Sequence, residues 1–493
     1  MATFLTPGVY IEERNAFPNS VVAVPTSVPA FVGYTELASR DKTLLRNKPT
    51  RITSISEYHQ FFGKDPFIKY EVRKDPIRDF ALGEVKATKY YLYNSLRLFF
   101  ANGGSTCYIV SVGDYNAKIK KDELEGGIKA LVKESEPSML VIPDALGLDQ
   151  QDCYELQKAM LNHCGSDTKN RIALLDVYDG YKERTRSIDD DVIIKFREGI
   201  GNSNLAWGAA YFPWLNTNVV QDTEINYKKN ISNLADLQQL LNEEIDKLHA
   251  TRFIDRKRAA LLKAEIAKIS SDEVNEETIH QTLVALSPLY QRIVIDIKDK
   301  VNMLPPCGGI AGVISMVDNS RGVWKSPANV SINQVISPAI NITNIDQEDI
   351  NVPADGKSIN AIRSFPGQGV LVWGARTLDG NSSDWKYISV RRTVIMIEES
   401  LKTAIQVFVF EPNDQNTWLA VKAMISNFLT DQWRIGALAG STTKDAFFIN
   451  LGLGTSMTQQ DILSGWMKII VGVALVRPAE FIVITLQQQM PKS

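Results

Sequence analysis

The sequence predicts a mixed α/β (α+β) fold, and three observations carry that reading. Between residues 28 and 177, short apolar runs alternate with segments of helical spacing, the pattern of strands joined by crossover helices. From about Gln221 to Leu286 the chain is charged, poor in Gly and free of Pro, with apolar residues stepping by three and four. Near its end, Phe481–Leu486 is apolar on both faces, since Phe481 and Val483 point one way and Ile482, Ile484 and Leu486 the other. A strand of that kind needs cover on both sides.

Taken in order, residues 1–24 read as an arm broken by Pro7 and Pro18, and Val9, Tyr10, Ile11 and Glu12 in it read as a short strand. Val28–Tyr34 is the first core strand. Ile55–Phe62 is a short helix opened by Thr53-Ser54 and stopped at Gly63. Lys89–Phe100 is helical, Cys107–Val112 a buried strand, Gly127–Glu134 helical and Met139–Ile142 a strand. Asp152–Asn162 is helical and Arg171–Val177 a strand. Leu234, Leu237, Leu241, Ile245 and Leu248 mark one amphipathic helix; Ala259, Leu262, Ile266 and Ile269 mark a second, packed on the first as a hairpin. Pro288 and Pro305-Pro306 mark the return to the α/β domain, and residues 307–350 read as dense in turns. Gly369–Trp373 is strand-like, Arg391–Gln406 helical and Val407–Phe410 a strand. Asn416–Thr430 is a helix with Trp418, Val421, Ile425 and Phe428 on one face, followed by a strand at Phe447–Leu451 and a short helix at Gln459–Gly465.

Two strand-forming ends present unpaired backbone donors and acceptors, which invites pairing with another chain. Pairing within the chain's own domain is the other reading of the same residues.

A chain of 493 residues is too long for one core. Its composition, 44% apolar and 23% charged, is that of an ordinary globular protein. A net charge of −3 argues against a general nucleic-acid binder. No apolar run approaches the roughly 20 residues a membrane helix needs, and the first residues lack the pattern of a secretory signal, so synthesis in a cytosol is expected. The four cysteines, Cys107, Cys153, Cys164 and Cys307, are scattered and read as reduced and mostly buried.

Gly454-Thr455-Ser456-Met457 has the look of the nucleophile loop of subtilisin-like serine proteases. A serine nucleophile needs a histidine base and an orienting carboxylate. None of His59, His163, His249 and His280 has the expected setting, so Ser456 reads as a cap or turn residue. His163-Cys164, Asp189-Asp190-Asp191 and Asp346–Asp349 lack metal-site spacing. No cofactor motif is present and no enzyme activity is expected. Aromatic and charged residues in the turn-rich segments stand out: Asp318, Arg321, Trp324, Arg363, Trp373, Arg376 and Trp385. They suit either a protein interface or an internal packing cluster.

Several segments, in this order, resemble the contractile tail sheath family of phage tails, R-type pyocins and extracellular contractile injection systems. They include TPGVYIEE with VPAFVGYTE, RITSISEYHQFFG, LRLFFANGGSTCYIVSV, MLVIPDAL and AAYFPWL. PPCGGIAGVISMVDNSRGVWKSPAN, GQGVLVWGARTLDGNSSDWKYISVRR and GWMKIIVGVALVRPAEFIVITLQQQ are more specific. The resemblance implies an arm at 1–24, an outer domain at 25–354 with a subtilisin-like core and a helical insertion at about 221–286, an inner domain at 355–478 and a second arm at 479–493. It implies a structural subunit that contracts from a metastable extended state. Its partners would be copies of itself, an inner tube, baseplate and terminal cap proteins and, as a further option, sister sheath proteins, with no nucleic acid and no membrane insertion. Val9–Glu12 and Phe481–Val483 with Ile484 and Leu486 would enter neighbouring copies. Lys422 and Arg434 on Asn416–Arg434 are the expected tube-facing residues. The branch of extracellular injection systems fits these words best. An active or inactive serine hydrolase and a strand-exchange adaptor are the competing readings.

Overall fold

The runs read as core strands meet in one nine-stranded sheet of a computed structural model that describes residues 21–84, 89–187, 189–270 and 275–483. Its strands are β1 (Pro29–Tyr34), β2 (Thr50–Ile52), β3 (Cys107–Gly113), β4 (Met139–Val141), β5 (Ile172–Asp176), β6 (Gly208–Phe212), β7 (Val330–Ser331), β8 (Asn360–Phe365) and β9 (Gly369–Val372). They lie in the order β7-β9-β8-β6-β5-β4-β1-β3-β2. The six strands from β3 to β8 in that order pair in parallel, and the edge strands β2, β9 and β7 run antiparallel to their neighbours. Every residue of β1, β3, β4, β5 and β6 is buried, which is why these segments read as apolar runs without alternation.

A buried carboxylate fixes the start of α1 (Leu92–Ala101) against β1. Asp144 accepts from Tyr34 N at 2.7 Å, Tyr91 N at 2.6 Å and Leu92 N at 3.0 Å. An anion among the free amides of a helix start is favourable. Burial still outweighs those bonds and raises its pKa to about 6.

Among the described residues the insertion holds four helices of eleven residues or more, two more than the leucine spacing marks: α2 (Leu234–Ala250), α3 (Arg256–Ala267), α4 (Glu276–Leu286) and α5 (Pro288–Val301). Pro288 does not return the chain to the sheet. It is the first residue of α5, where a missing N–H costs nothing, and Ser287 Oγ caps Tyr290 N at 3.0 Å. The insertion shares its core with a hairpin far upstream, Tyr70–Asp75 and Asp79–Glu84, through Tyr70, Val72 and Phe80 against Leu237, Leu241 and Tyr290.

The segment read as dense in turns opens with a 15-residue buried helix, α6 (Cys307–Arg321). Its glycines serve close packing rather than turning. A Cβ on Gly308 would lie 2.4 Å from Ser95 O, and one on Gly312 would lie 2.5 Å from Phe99 O, both on α1.

The chain divides between Arg392 and Thr393, inside α7 (Ile388–Ile405). This differs from the expected boundary at 354/355, because β8 and β9 continue the large sheet. One unit is Pro25–Arg392 with the described residues 478–483; the other is Thr393–Arg477 with the described residues 21–24. Within the smaller unit, Val24 N donates to Ser400 Oγ at 3.0 Å. It contains α8 (Gln415–Arg434) and a two-stranded antiparallel sheet, β10 (Phe447–Asn450) with β11 (Ile470–Val473), in register Phe447↔Val473 to Asn450↔Ile470. The strand expected at Val407–Phe410 is absent. A 3-10 turn covers Gln406–Phe408, and Phe410 stands fully exposed at φ +73°.

Candidate functional site

The smaller unit leaves its sheet unfinished. Among the described residues no third strand joins β10 or β11. Around them Leu419, Phe448, Leu453, Leu463, Trp466 and Ile470 are exposed. A groove of about 360 Å³ runs between α8 and β10, lined by Leu419, Lys422, Ala423, Ser426 and Phe447–Ile449. Helix α8 buries Val421, Met424, Ile425, Phe428 and Leu429, so its other face is the exposed one. Lys422 and Arg434 are both exposed. At about 100° per residue they sit about 120° apart around the axis, so they do not form one patch. Lys422 borders the apolar groove, and Arg434 pairs with Asp431 at 3.4 Å.

Ser456 is a turn residue. Its Oγ donates to Lys468 O at 2.6 Å and accepts from Gly452 N at 3.2 Å. Thr458, not Ser456, caps the helix Gln459–Leu463. His59 and His280 bond to Tyr93 and Tyr290 hydroxyls at 2.9 and 2.8 Å, and His163 is buried against Arg171. The four cysteines are buried and unpaired.

The aromatic and charged set separates into several contacts in the larger unit. Asp318 forms a buried ion pair with Arg392, Nη1 to Oδ1 at 2.9 Å, and accepts from Thr26 Oγ1 at 2.5 Å. Trp385 stacks on the Arg391 guanidinium at 3.6 Å, with Trp207 on that group at 4.3 Å. Arg363 donates to Asn344 and Gln347 and lies over Phe365, whose ring packs on Trp373 at 4.5 Å. Trp324 folds over Gly322, and Arg321 is exposed. Asp318, Arg376 and Trp385 therefore hold the unit together, while Arg321 and Trp373 keep exposed surface.

Of the residues expected to enter neighbours, Val9, Tyr10, Ile11, Glu12, Ile484 and Leu486 lie outside the described residues. Phe481, Ile482 and Val483 carry no strand and are 71%, 78% and 88% exposed. One residue earlier the chain is tightly held. Arg376 Nε and Nη2 donate to the two Glu480 carboxylate oxygens at 2.9 and 2.7 Å. Asn351 Nδ2 adds a bond at 2.8 Å and Tyr387 OH one at 3.0 Å. Burial pushes the Glu480 carboxyl up, but these donors and the guanidinium charge outweigh it and hold it below the usual range. Sequence reading passed over Glu480. The available signal was a lone acid after Pro478 in an otherwise apolar run.

Residues 117–378 match the phage tail sheath protein central domain, and 381–489 match the phage tail sheath C-terminal domain. The chain belongs to the phage tail sheath family. Curated relatives include tail sheath proteins of Vibrio phage KVP40, 28% identical over 141 residues (28% of this chain, 21% of that one), and Burkholderia phage BcepMu, 30% identical over 140 residues (26% and 28%). The chain thus spans under a third of the length of these curated sheath relatives. Solved structures are matched almost throughout. The sheath complex of PVC, an extracellular contractile injection system, in the contracted state is 27% identical with a TM-score of 0.62, covering 99% of both chains. The contracted helical sheath of the anti-feeding prophage is 28% identical with a TM-score of 0.62, covering 99% of this chain and 100% of that one. This sheath-family chain has no described helix long and apolar enough to cross a membrane.

Proposed function

We propose that the protein is the repeating subunit of a contractile sheath that polymerises around an inner tube and shortens to drive that tube into a target envelope. The observation that carries this reading is that one unit leaves the β10–β11 sheet unfinished while the other ends its described residues in an arm, Phe481–Val483, that is apolar and exposed. A two-stranded sheet is marginal alone and gains from a third and fourth strand. Strand addition supplies backbone hydrogen bonds of roughly 1 kcal/mol net each, with apolar burial in addition. Arms from two neighbouring copies, carrying Val9–Glu12 and Phe481–Leu486, are the strands that fit.

Links of this kind survive while subunits rotate, so a metastable extended lattice can relax to a more compact one without nucleotide. The tube would lie against the exposed face of α8 at Lys422, and baseplate, cap and sister sheath proteins are the further partners. Assembly would take place in a bacterial cytoplasm, and the likeness to injection-system sheaths favours a released particle. The role is structural rather than enzymatic, supported by the engagement of the Ser456 hydroxyl in a turn.

Negative-stain microscopy of the overexpressed protein tests this. Long hollow cylinders are expected; discrete small complexes by light scattering would favour the adaptor, and labelling of Ser456 by a fluorophosphonate would favour the hydrolase.

A further inference from the structure

The Glu480 contact does more than terminate a loop. Arg376 is 5% exposed at its side chain, and its Nη1 donates to Asn351 O at 3.1 Å and Gly380 O at 3.3 Å. The Nε–Nη2 edge is therefore supplied with acceptors by the carboxylate that occupies it. In the free subunit that carboxylate is the chain's own, 104 residues downstream. Residues Pro478–Ile482 line a cavity of about 860 Å³ together with Asn351, Trp373 and Tyr387. Exposure rises sharply straight after the contact, from 20% at the Glu480 side chain to 71% at Phe481 and 88% at Val483.

We propose that Arg376, Asn351 and Tyr387 form a carboxylate socket that retains the C-terminal arm on its own subunit, so that a second copy receives only the chain from Phe481 onward. This rests on the strand-exchange reading above and adds where the exchanged segment begins. Withdrawal of Glu480 would leave a buried guanidinium edge without acceptors, so the arm pivots at the socket instead of leaving it. The exchanged piece then begins at Phe481, and its first strand-forming stretch is Phe481–Leu486. At about 3.4 Å per residue the reach of that six-residue stretch from the socket cannot exceed roughly 20 Å. The donor and acceptor copies must lie within that distance in every state of the lattice.

The test places cysteines at Val352 and Ala479, which line the same cavity and leave Glu480 intact. The four native cysteines are buried and stay silent. A short bis-maleimide is added to the soluble full-length protein and to its assembled polymer. The expected product in both runs at the mass of one chain. A ladder of linked chains, or loss of the product on assembly, overturns retention by the same subunit. Adding Glu480→Gln should lower the one-chain product at least threefold and reduce polymer per milligram, with the far-ultraviolet dichroism unchanged; an unaltered yield of both overturns the socket. A chain ending at Glu480 separates the two ideas. If it still polymerises, strand exchange by this arm is wrong, whereas the one-chain cross-link reports on the socket alone.

Discussion

The two units of this chain differ in how much of their hydrogen bonding they complete for themselves. Pro25–Arg392 builds a nine-stranded sheet whose central strands are buried throughout. Thr393–Arg477 builds two strands and stops. Among the described residues, ten large apolar side chains are exposed in that short unit, against twelve in the much longer Pro25–Arg392. The larger unit can therefore stand as a finished body, while the smaller one presents the edges and apolar surface that another chain would cover.

That contrast can be broken from either side. In the finished unit, internal substitutions should act on folding. Asp318→Ala leaves Arg392 buried without its partner and should cost about 3–5 kcal/mol, read from the urea midpoint of the subunit. Gly312→Val drives a side chain into the α1 backbone and should cost about 1–3 kcal/mol by the same measurement.

A subtler effect is expected at Asp176, buried and accepting from Cys307 N at 2.9 Å. Burial raises its pKa to about 7, above its ordinary value of 3.8. The folded state then holds this proton more tightly than the unfolded chain. Its contribution is complete below about pH 4 and is lost as pH rises towards 7. Asp176→Asn, which keeps an acceptor, should flatten that part of the stability profile measured by thermal melts; an unchanged slope would refute it.

In the unfinished unit the pattern should reverse. Phe448→Ser should change subunit stability by no more than about 0.5 kcal/mol, because the ring is exposed, yet lower the yield of sedimentable polymer at least tenfold. Equal polymer yield would remove the distinction between the units.

Legibility in the sequence followed the same division. The buried strands Pro29–Tyr34, Cys107–Gly113 and Ile172–Asp176 stood out because two-sided burial leaves an unbroken apolar run. Helix α6 did not, because Gly308, Gly309 and Gly312 read as turns until the backbone of α1 is seen against them. Two helices of the insertion were visible from leucine spacing. The hairpin that completes their core was not, since Tyr70 and Leu237 are far apart in the chain. Val407–Phe410 had a strand's composition without a neighbour to pair with. At the arm, apolar character marked Phe481–Val483, but the socket depends on Asn351, Arg376 and Tyr387 converging on Glu480, which no local pattern encodes.

The central claim, that other copies complete the smaller unit's sheet, is tested most directly by amide hydrogen exchange of the soluble subunit against the assembled polymer. Backbone amides of Phe447–Asn450, Ile470–Val473 and Phe481–Val483 should slow by at least an order of magnitude on assembly, while those of Ile172–Asp176 stay as they were. Unchanged exchange in the first three segments of a fully formed polymer would contradict it.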